Sequence, residues 1–435
     1  EQYYDIHYPL EERQTCRPFN VSPVYEWHKA NGASFGEKSS WERVNFYQNH
    51  EGVETTRPLG WAGKNWSNAV QIEHEATRNH AGLFDESSFA KIEVTGAQSA
   101  EFLEFVCAND VVRGVGRTVY TQALNSKGGI ECDFTVTQIA EENFLIITGT
   151  AFAQHDSGWL KKLKREHDFN KVQIKDVTSD YAIFGIWGPK TREILQSLTN
   201  YDLSSKSFPF MHSKLIDING TDVRATRITY VGELGWELFI PVKDALPIWL
   251  KLKDAGATPC GYRAIESLRL EKGYLAWAGE INTEFNPYEA GLGFAISKTR
   301  NNFYGATALS KLEKSTRKLV CITFDDIRRV PLGSEPIKFG DQVIGRIKSG
   351  GQGYTINKAI AYAYLPIEFT NAGTDIAYLQ ESYGVNLWGD TTHPVHVRGG
   401  ALIRGSSAGG SYNAGDIYGF GIILDPGDSL PCSIS

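Results

Sequence analysis

The chain has 435 residues, 41% hydrophobic and 22% charged, with a formal net charge of −7. That length calls for two to four structural units around a sizeable core, and the mild acidity excludes a basic footprint for nucleic acid or an anionic membrane surface. No apolar run reaches the roughly 18 residues of a membrane span, and six scattered cysteines without a C-x-x-C pair argue against a zinc site or a disulfide scaffold and fit a reducing compartment.

In chain order, residues 1 to about 60 are aromatic and turn-rich, and are read as irregular. Ala69 to His80 has helical spacing and ends near Gly82. Lys91 to Gly96 alternates as a strand, followed by a helix from Ala97 to Val106 and a strand from Thr118 to Leu124. A Ser-Lys-Gly-Gly turn, Ser126 to Gly129, then leads into paired strands Asp133 to Gln138 and Phe144 to Thr148. Ala151 to His167 reads as a lysine-rich helix. A second α+β round follows: strand Tyr181 to Trp187, helix Lys190 to Leu198, strands Thr221 to Thr229 and Trp236 to Ile240, and helices Ala245 to Ala255 and Arg263 to Lys272. From Lys318 the pattern turns to short strands broken by glycine (Leu319 to Phe324, Gln342 to Ile347, Ala359 to Tyr364), which suggests a small barrel. After about Val385 periodicity is lost, and the Gly/Ser-rich tail is expected to be irregular. A chain that starts at Glu1 and holds one methionine, Met211, is expected to be a processed product or a piece of something longer.

No G-x-G-x-x-G follows a strand and no G-x-x-x-x-G-K-[ST] occurs, so the usual dinucleotide and triphosphate sites are unsupported. His393 and His396 stand in a Pro-containing stretch without a third ligand, and no metal is expected. Two segments carry chemistry. In the first, the Gly128-Gly129 turn delivers Asp133 to the start of an apolar strand, where partial desolvation raises a carboxyl pKa; the residues alone allow either a turn cap or a functional acid. In the second, Tyr230-Val-Gly-Glu-Leu-Gly-Trp-Glu237, a glutamate sits among Trp236, Leu238 and Phe239. Such a group needs a structural ion pair or a ligand with adjacent donors, such as the amino-pyrimidine edge of a pterin.

These segments, with Gly261-Tyr-Arg-Ala-Ile-Glu-Ser-Leu-Arg-Leu-Glu-Lys-Gly273 and Asn286-Pro-Tyr-Glu-Ala-Gly-Leu-Gly-Phe294, resemble the folate-dependent aminomethyltransferase family that includes the glycine-cleavage T-protein. The stretches from Arg17 to Tyr25 and from Phe35 to Arg43 resemble the connector in the C-terminal half of sarcosine and dimethylglycine dehydrogenases. The resemblance runs over roughly residues 5 to 385. It implies an α+β, tri-lobed fold with a central folate-binding cavity and a small C-terminal β-barrel, divided as connector 1–60, folate-binding domains 61–310, barrel 315–390 and irregular tail 391–435. It implies tetrahydrofolate as cofactor, with Asp133 as the catalytic acid and Tyr120, Asp133, Phe134, Thr135, Tyr230, Glu237, Leu238, Phe239 and Phe294 around the folate. FAD is expected only on a separate flavin domain or chain. The implied reaction captures an iminium or formaldehyde from a sarcosine- or dimethylglycine-type methylamine as 5,10-methylenetetrahydrofolate, in bacterial cytoplasm or the mitochondrial matrix, without nucleic-acid or membrane partners. Two other readings stand beside it: a free-standing folate-dependent demethylase of a methylated S, O or N compound, and a non-catalytic regulatory relative. The sequence departs from the T-protein pattern at Ile265, where an arginine is usual there, in a shortened loop between Ala257 and Gly261, and beyond Val385.

Overall fold

The computed structural model describes residues 12, 15–52, 68–312, 315–324, 331 and 333–371, and the backbone of 375–380 and 391–398. The N-terminal stretch, expected to be irregular, instead forms a helix, Tyr25–Ala30, and a hairpin of β1 (Ala33–Lys38) and β2 (Trp41–Tyr47). Its turn is Ser39-Ser40, both at positive φ. An Asn-Gly pair would have signalled such a turn, and two serines do not. Buried Glu73, on the helix Asn68–Asn79, accepts from the backbone N–H of Tyr47 and of Gly261, each at 2.7 Å, and so ties the hairpin to the body.

The body is built on two sheets. In chain order the strands are β3 (Gly82–Asp85), β4 (Ala90–Thr95), β5 (Thr118–Leu124), β6 (Ile130–Ala140), β7 (Asn143–Thr148), β8 (Gln173–Asp176), β9 (Tyr181–Trp187), β10 (Ser213–Ile218), β11 (Thr221–Thr226), β12 (Gly235–Pro241) and β13 (Thr258–Cys260). They assemble as a five-stranded sheet, β5-β6-β7-β4-β8, and a six-stranded sheet, β10-β11-β12-β9-β3-β13. Four of these strands (β3, β8, β10, β13) have no counterpart in the sequence reading. β3, β8 and β13 are three or four residues long, too short for a period of two to register.

Alternation along each strand decides which side chains meet. In the five-stranded sheet Cys132, Phe134, Val136, Phe144 and Ile146 join one core with Phe102, Leu103 and Leu160 from the helices Ser99–Val106 and Ala153–Glu166. In the six-stranded sheet Phe184, Ile186, Trp236, Leu238 and Ile240 pack on Ile248, Trp249 and Leu252 of the helix Ala245–Asp254. The remaining faces turn toward each other, where Leu145, Ile147, Val177, Ile183 and Phe239 form a small shared cluster.

The C-terminal strands β14 (Arg317–Phe324), β15 (Pro336–Phe339), β16 (Gln342–Gly353), β17 (Lys358–Pro366), β18 (Asp375–Gln380) and β19 (Thr391–Arg398) close a barrel in the order β14-β17-β16-β15-β18-β19. β19 lies inside the stretch expected to be irregular; it pairs with β14 and β18, so non-local pairing supplies what its own pattern lacks. The side chains of His393 and His396 and the tail after Arg398 lie outside the described residues. Among those residues no helix is long and apolar enough to cross a membrane, and the five described cysteines are free.

Candidate functional site

Asp133 is the fourth residue of β6, not its first. The turn before it is capped by Asn125, whose Oδ1 accepts from Lys127 N–H (2.9 Å) and Gly129 N–H (3.1 Å). Gly128 turns at φ +84°, and a Cβ on Gly129 would strike the Thr283 carbonyl. The turn therefore has its own acceptor, and Asp133 is not needed as a cap. Its Oδ1 instead accepts from the Tyr120 hydroxyl at 2.6 Å and from Gln122 Nε2 at 3.2 Å. Register explains the trio: Gln122 lies opposite Asp133 and Tyr120 opposite Thr135. Gln122 is absent from the sequence reading, although a period of two from Tyr120 leads to it. Burial raises the Asp133 carboxyl to about 6, against the opposing pull of these hydrogen bonds.

Phe294, on the surface, stacks on the Tyr120 ring at 6.2 Å between centroids and 26° between planes. Tyr230 donates to the Leu275 carbonyl at 2.9 Å and stacks on Tyr274. Its phenol is close enough to bear electrostatically on that of Tyr120.

Glu237 pairs in register with Gly185 and Thr226. It is buried, and among the described residues burial alone acts on its carboxyl, with no cation or hydrogen-bond donor opposing it, which speaks against a structural salt bridge. Burial raises its carboxyl to about 7. A second acid, Glu86, stands one residue beyond β3, bonded through its N–H to the Ile183 carbonyl and so on the same sheet face. It is 2% exposed, and neither carboxyl oxygen has a partner among the described residues. Burial and the neighbouring charge of Glu237 hold it protonated well above the ordinary range. No sequence pattern pointed to Glu86.

The strand faces sort the expected site residues. Thr135 lies opposite Ile147, and Phe239 opposite Ile183. Thus Tyr120, Gln122, Asp133 and Thr135 share the face of Ile147, Glu237 shares the face of Phe239, and these two faces meet across the Leu145–Phe239 cluster. Phe134 and Leu238, one residue out of phase, point into the helix-covered cores. Both were expected at the folate site; the period of two turns their side chains away from the faces that carry Asp133 and Glu237.

Beside Asp133 on the opposite face, Cys132, His155 and Asp156 hold ligand-type atoms within 4.8 Å of one another. Asp156 already accepts from Thr148 (2.6 Å) and from His155 Nδ1 (2.8 Å), which accounts for it without a metal. Two shallow recesses, each with room for about one water, run along the seam between the N-terminal hairpin and the body. Neither is lined by Asp133 or Glu237, so a central folate cavity is not among them.

Residues 24–300 match the family model for the GCVT N-terminal domain, and 317–382 match the glycine cleavage T-protein C-terminal barrel domain. Mitochondrial dimethylglycine dehydrogenase of Mus musculus is 33% identical over 381 residues, which cover 85% of this chain and 43% of that protein. An aminomethyltransferase of Symbiobacterium thermophilum is 30% identical over 364 residues, covering 82% of this chain and 92% of the relative. The crystal structure of glycine cleavage system aminomethyltransferase T from Bartonella henselae superposes with a TM-score of 0.75 at 26% identity, covering 89% of this chain and 98% of that one. The chain spans less than half the length of the dehydrogenase it matches.

Proposed function

Because this chain belongs to the GCVT aminomethyltransferase family, we propose that it is a tetrahydrofolate-binding one-carbon transfer module whose donor is a methylamine-derived iminium or formaldehyde. The observation that carries this reading is the meeting of two acid-bearing sheet faces, one with Asp133 and Tyr120, the other with Glu237. The residues fit a reduced pterin. Glu237 is a desolvated carboxyl without a protein donor, and the amino-pyrimidine edge offers two adjacent N–H groups. Tyr120 and Phe294 supply a stacked aromatic wall.

Tetrahydrofolate, when bound, supplies the nucleophilic nitrogen that takes up the one-carbon unit. Asp133 then has two tasks. As a carboxylate it stabilises cationic character on the incoming carbon, and with a pKa of about 6 it exchanges a proton near neutral pH. Tyr120 and Gln122 hold the carboxylate in one orientation. Tyr230 and Phe294 keep water, the competing nucleophile, from the electrophile. The dehydrogenase reading follows the matches to dimethylglycine and sarcosine dehydrogenases; the N-terminal hairpin lies inside the 24–300 match to the family model and does not separate it from a free-standing demethylase. FAD would then sit on sequence outside this chain.

The test is an equilibrium titration with tetrahydrofolate, followed by formaldehyde capture at saturating folate. Binding to the wild-type chain that weakens at least ~10-fold in Glu237→Gln supports the proposal. An undetectable affinity for tetrahydrofolate ends it.

A further inference from the structure

The Gln122 side chain is fully buried on the face that carries Tyr120, Asp133 and Thr135, which are themselves only partly buried. Its two amide atoms stand in different situations. Nε2 donates to Asp133 Oδ1 at 3.2 Å, while Oε1 has no hydrogen-bond partner among the described residues. Asp133 dictates this orientation. An ionised carboxylate accepts and cannot donate, and its Oδ1 also takes the Tyr120 hydroxyl at 2.6 Å, so the NH2 end of the amide has to face it. Turning the amide over would set acceptor against acceptor.

Holding the carboxylate requires Nε2 alone. The buried Oε1 is a cost unless a donor reaches it, and its place narrows what that donor is. The oxygen and nitrogen of one amide are ~2 Å apart, so Oε1 lies within roughly 6 Å of Asp133 Oδ1. Under the folate reading, on which this inference rests, Glu237 on the facing sheet takes the amino-pyrimidine edge. The N–H groups of the reduced ring are then left for the side of Asp133. N5 carries a hydrogen in tetrahydrofolate, whereas in 7,8-dihydrofolate it is an imine nitrogen that presents a lone pair. We propose that Gln122 Oε1 accepts a hydrogen bond from N5–H and thereby selects the tetrahydro over the dihydro state of the folate. A ligand without that hydrogen leaves the buried oxygen unpaired, which is the arrangement that discriminates most steeply. The contact is also lost once N5 bears the one-carbon unit as a tertiary amine, so Gln122 favours the substrate form of the folate over the product form.

The experiment is anaerobic equilibrium titration of the full chain with two probes, tetrahydrofolate and 7,8-dihydrofolate, in wild type, Gln122→Met and Asp133→Asn. Wild type is expected to bind tetrahydrofolate at least ~10-fold more tightly than dihydrofolate. Methionine is close to glutamine in size and offers no comparable acceptor. Gln122→Met is therefore expected to lose at least ~10-fold for tetrahydrofolate while dihydrofolate binds as before or more tightly. A side chain that only orients Asp133, or an oxygen that only holds a water, would move both ligands together. Asp133→Asn is expected to keep the preference, because the selecting oxygen is intact. Equal wild-type affinity for the two folates overturns the proposal, needs no variant, and leaves the folate reading standing; undetectable binding of both removes that reading as well. A preference that survives Gln122→Met, or that vanishes in Asp133→Asn, assigns the selection to another group and overturns the proposal too.

Discussion

Asp133 combines two demands that work against each other: burial favours the protonated form, while Tyr120 and Gln122 favour the anion. If the anion does the work, transfer falls as pH drops through about 6. Tyr120→Phe deletes a contact that lowers this value, so the acid limb of the pH–rate profile should move upward; an unmoved limb would detach Tyr120 from the acid. Asp133→Asn should keep tetrahydrofolate affinity within a few fold and slow transfer by on the order of 100-fold or more, read in single-turnover capture. The same variant tests linkage. The folded state binds this proton more tightly than the unfolded chain, so ionisation costs stability as pH rises from the ordinary carboxylate value to about 6. Asp133→Asn should therefore be more stable than wild type by about 3 kcal/mol at pH 7.5 and no more stable below pH 4, as measured by urea unfolding.

For elements, phase along the strand outweighs residue type. Leu238 and Phe239 are adjacent and both apolar, yet one packs on the helix Ala245–Asp254 and the other faces the second sheet. Leu238→Ala should cost about 2–5 kcal/mol in unfolding free energy and leave tetrahydrofolate affinity in the surviving folded fraction unchanged. A large loss of affinity at full folding would restore Leu238 to the site. The same phasing shows what the sequence could convey. Asp133 and Glu237 were singled out because turn and strand motifs marked their neighbourhoods, and Tyr120 because the family resemblance implied it. Assigning Phe134 and Leu238 to the site followed from adjacency, whereas the face each residue occupies depends on which side the helices cover.

Across the whole molecule, barrel and body are joined by a buried polar network. Glu271, on the helix Tyr262–Lys272, accepts from Arg78 (3.2 Å) and from the Thr355 N–H (2.8 Å), while His74 bridges Ser267 (2.9 Å) and Thr355 (2.8 Å). Arg78 also reaches Glu233 at 2.9 Å. His74 and Arg78 hold Glu271 down at about 2, so this stabilisation is complete above the ordinary glutamate value and is lost as pH falls toward 2. Arg78→Met leaves two buried carboxylates without their guanidinium and should cost about 3–5 kcal/mol at neutral pH. Chemical unfolding at pH 7 and pH 3 checks both the size of the loss and its shrinkage in acid.

The sequence by itself determined the longer helices and strands between Ala69 and Tyr364, the turn that leads to Asp133, and the family, because these rest on local periodicity and on ordered motifs; the short strands β3, β8, β13 and β15, and β10, did not show in it. Tertiary structure alone decided that two sheets turn their acid-bearing faces together, that Thr391–Arg398 completes the barrel, and that Glu86 stands beside Glu237 without a carboxyl partner among the described residues. Those outcomes depend on contacts between residues far apart in the chain, and strand pairing and burial at that separation leave no periodic mark on the sequence.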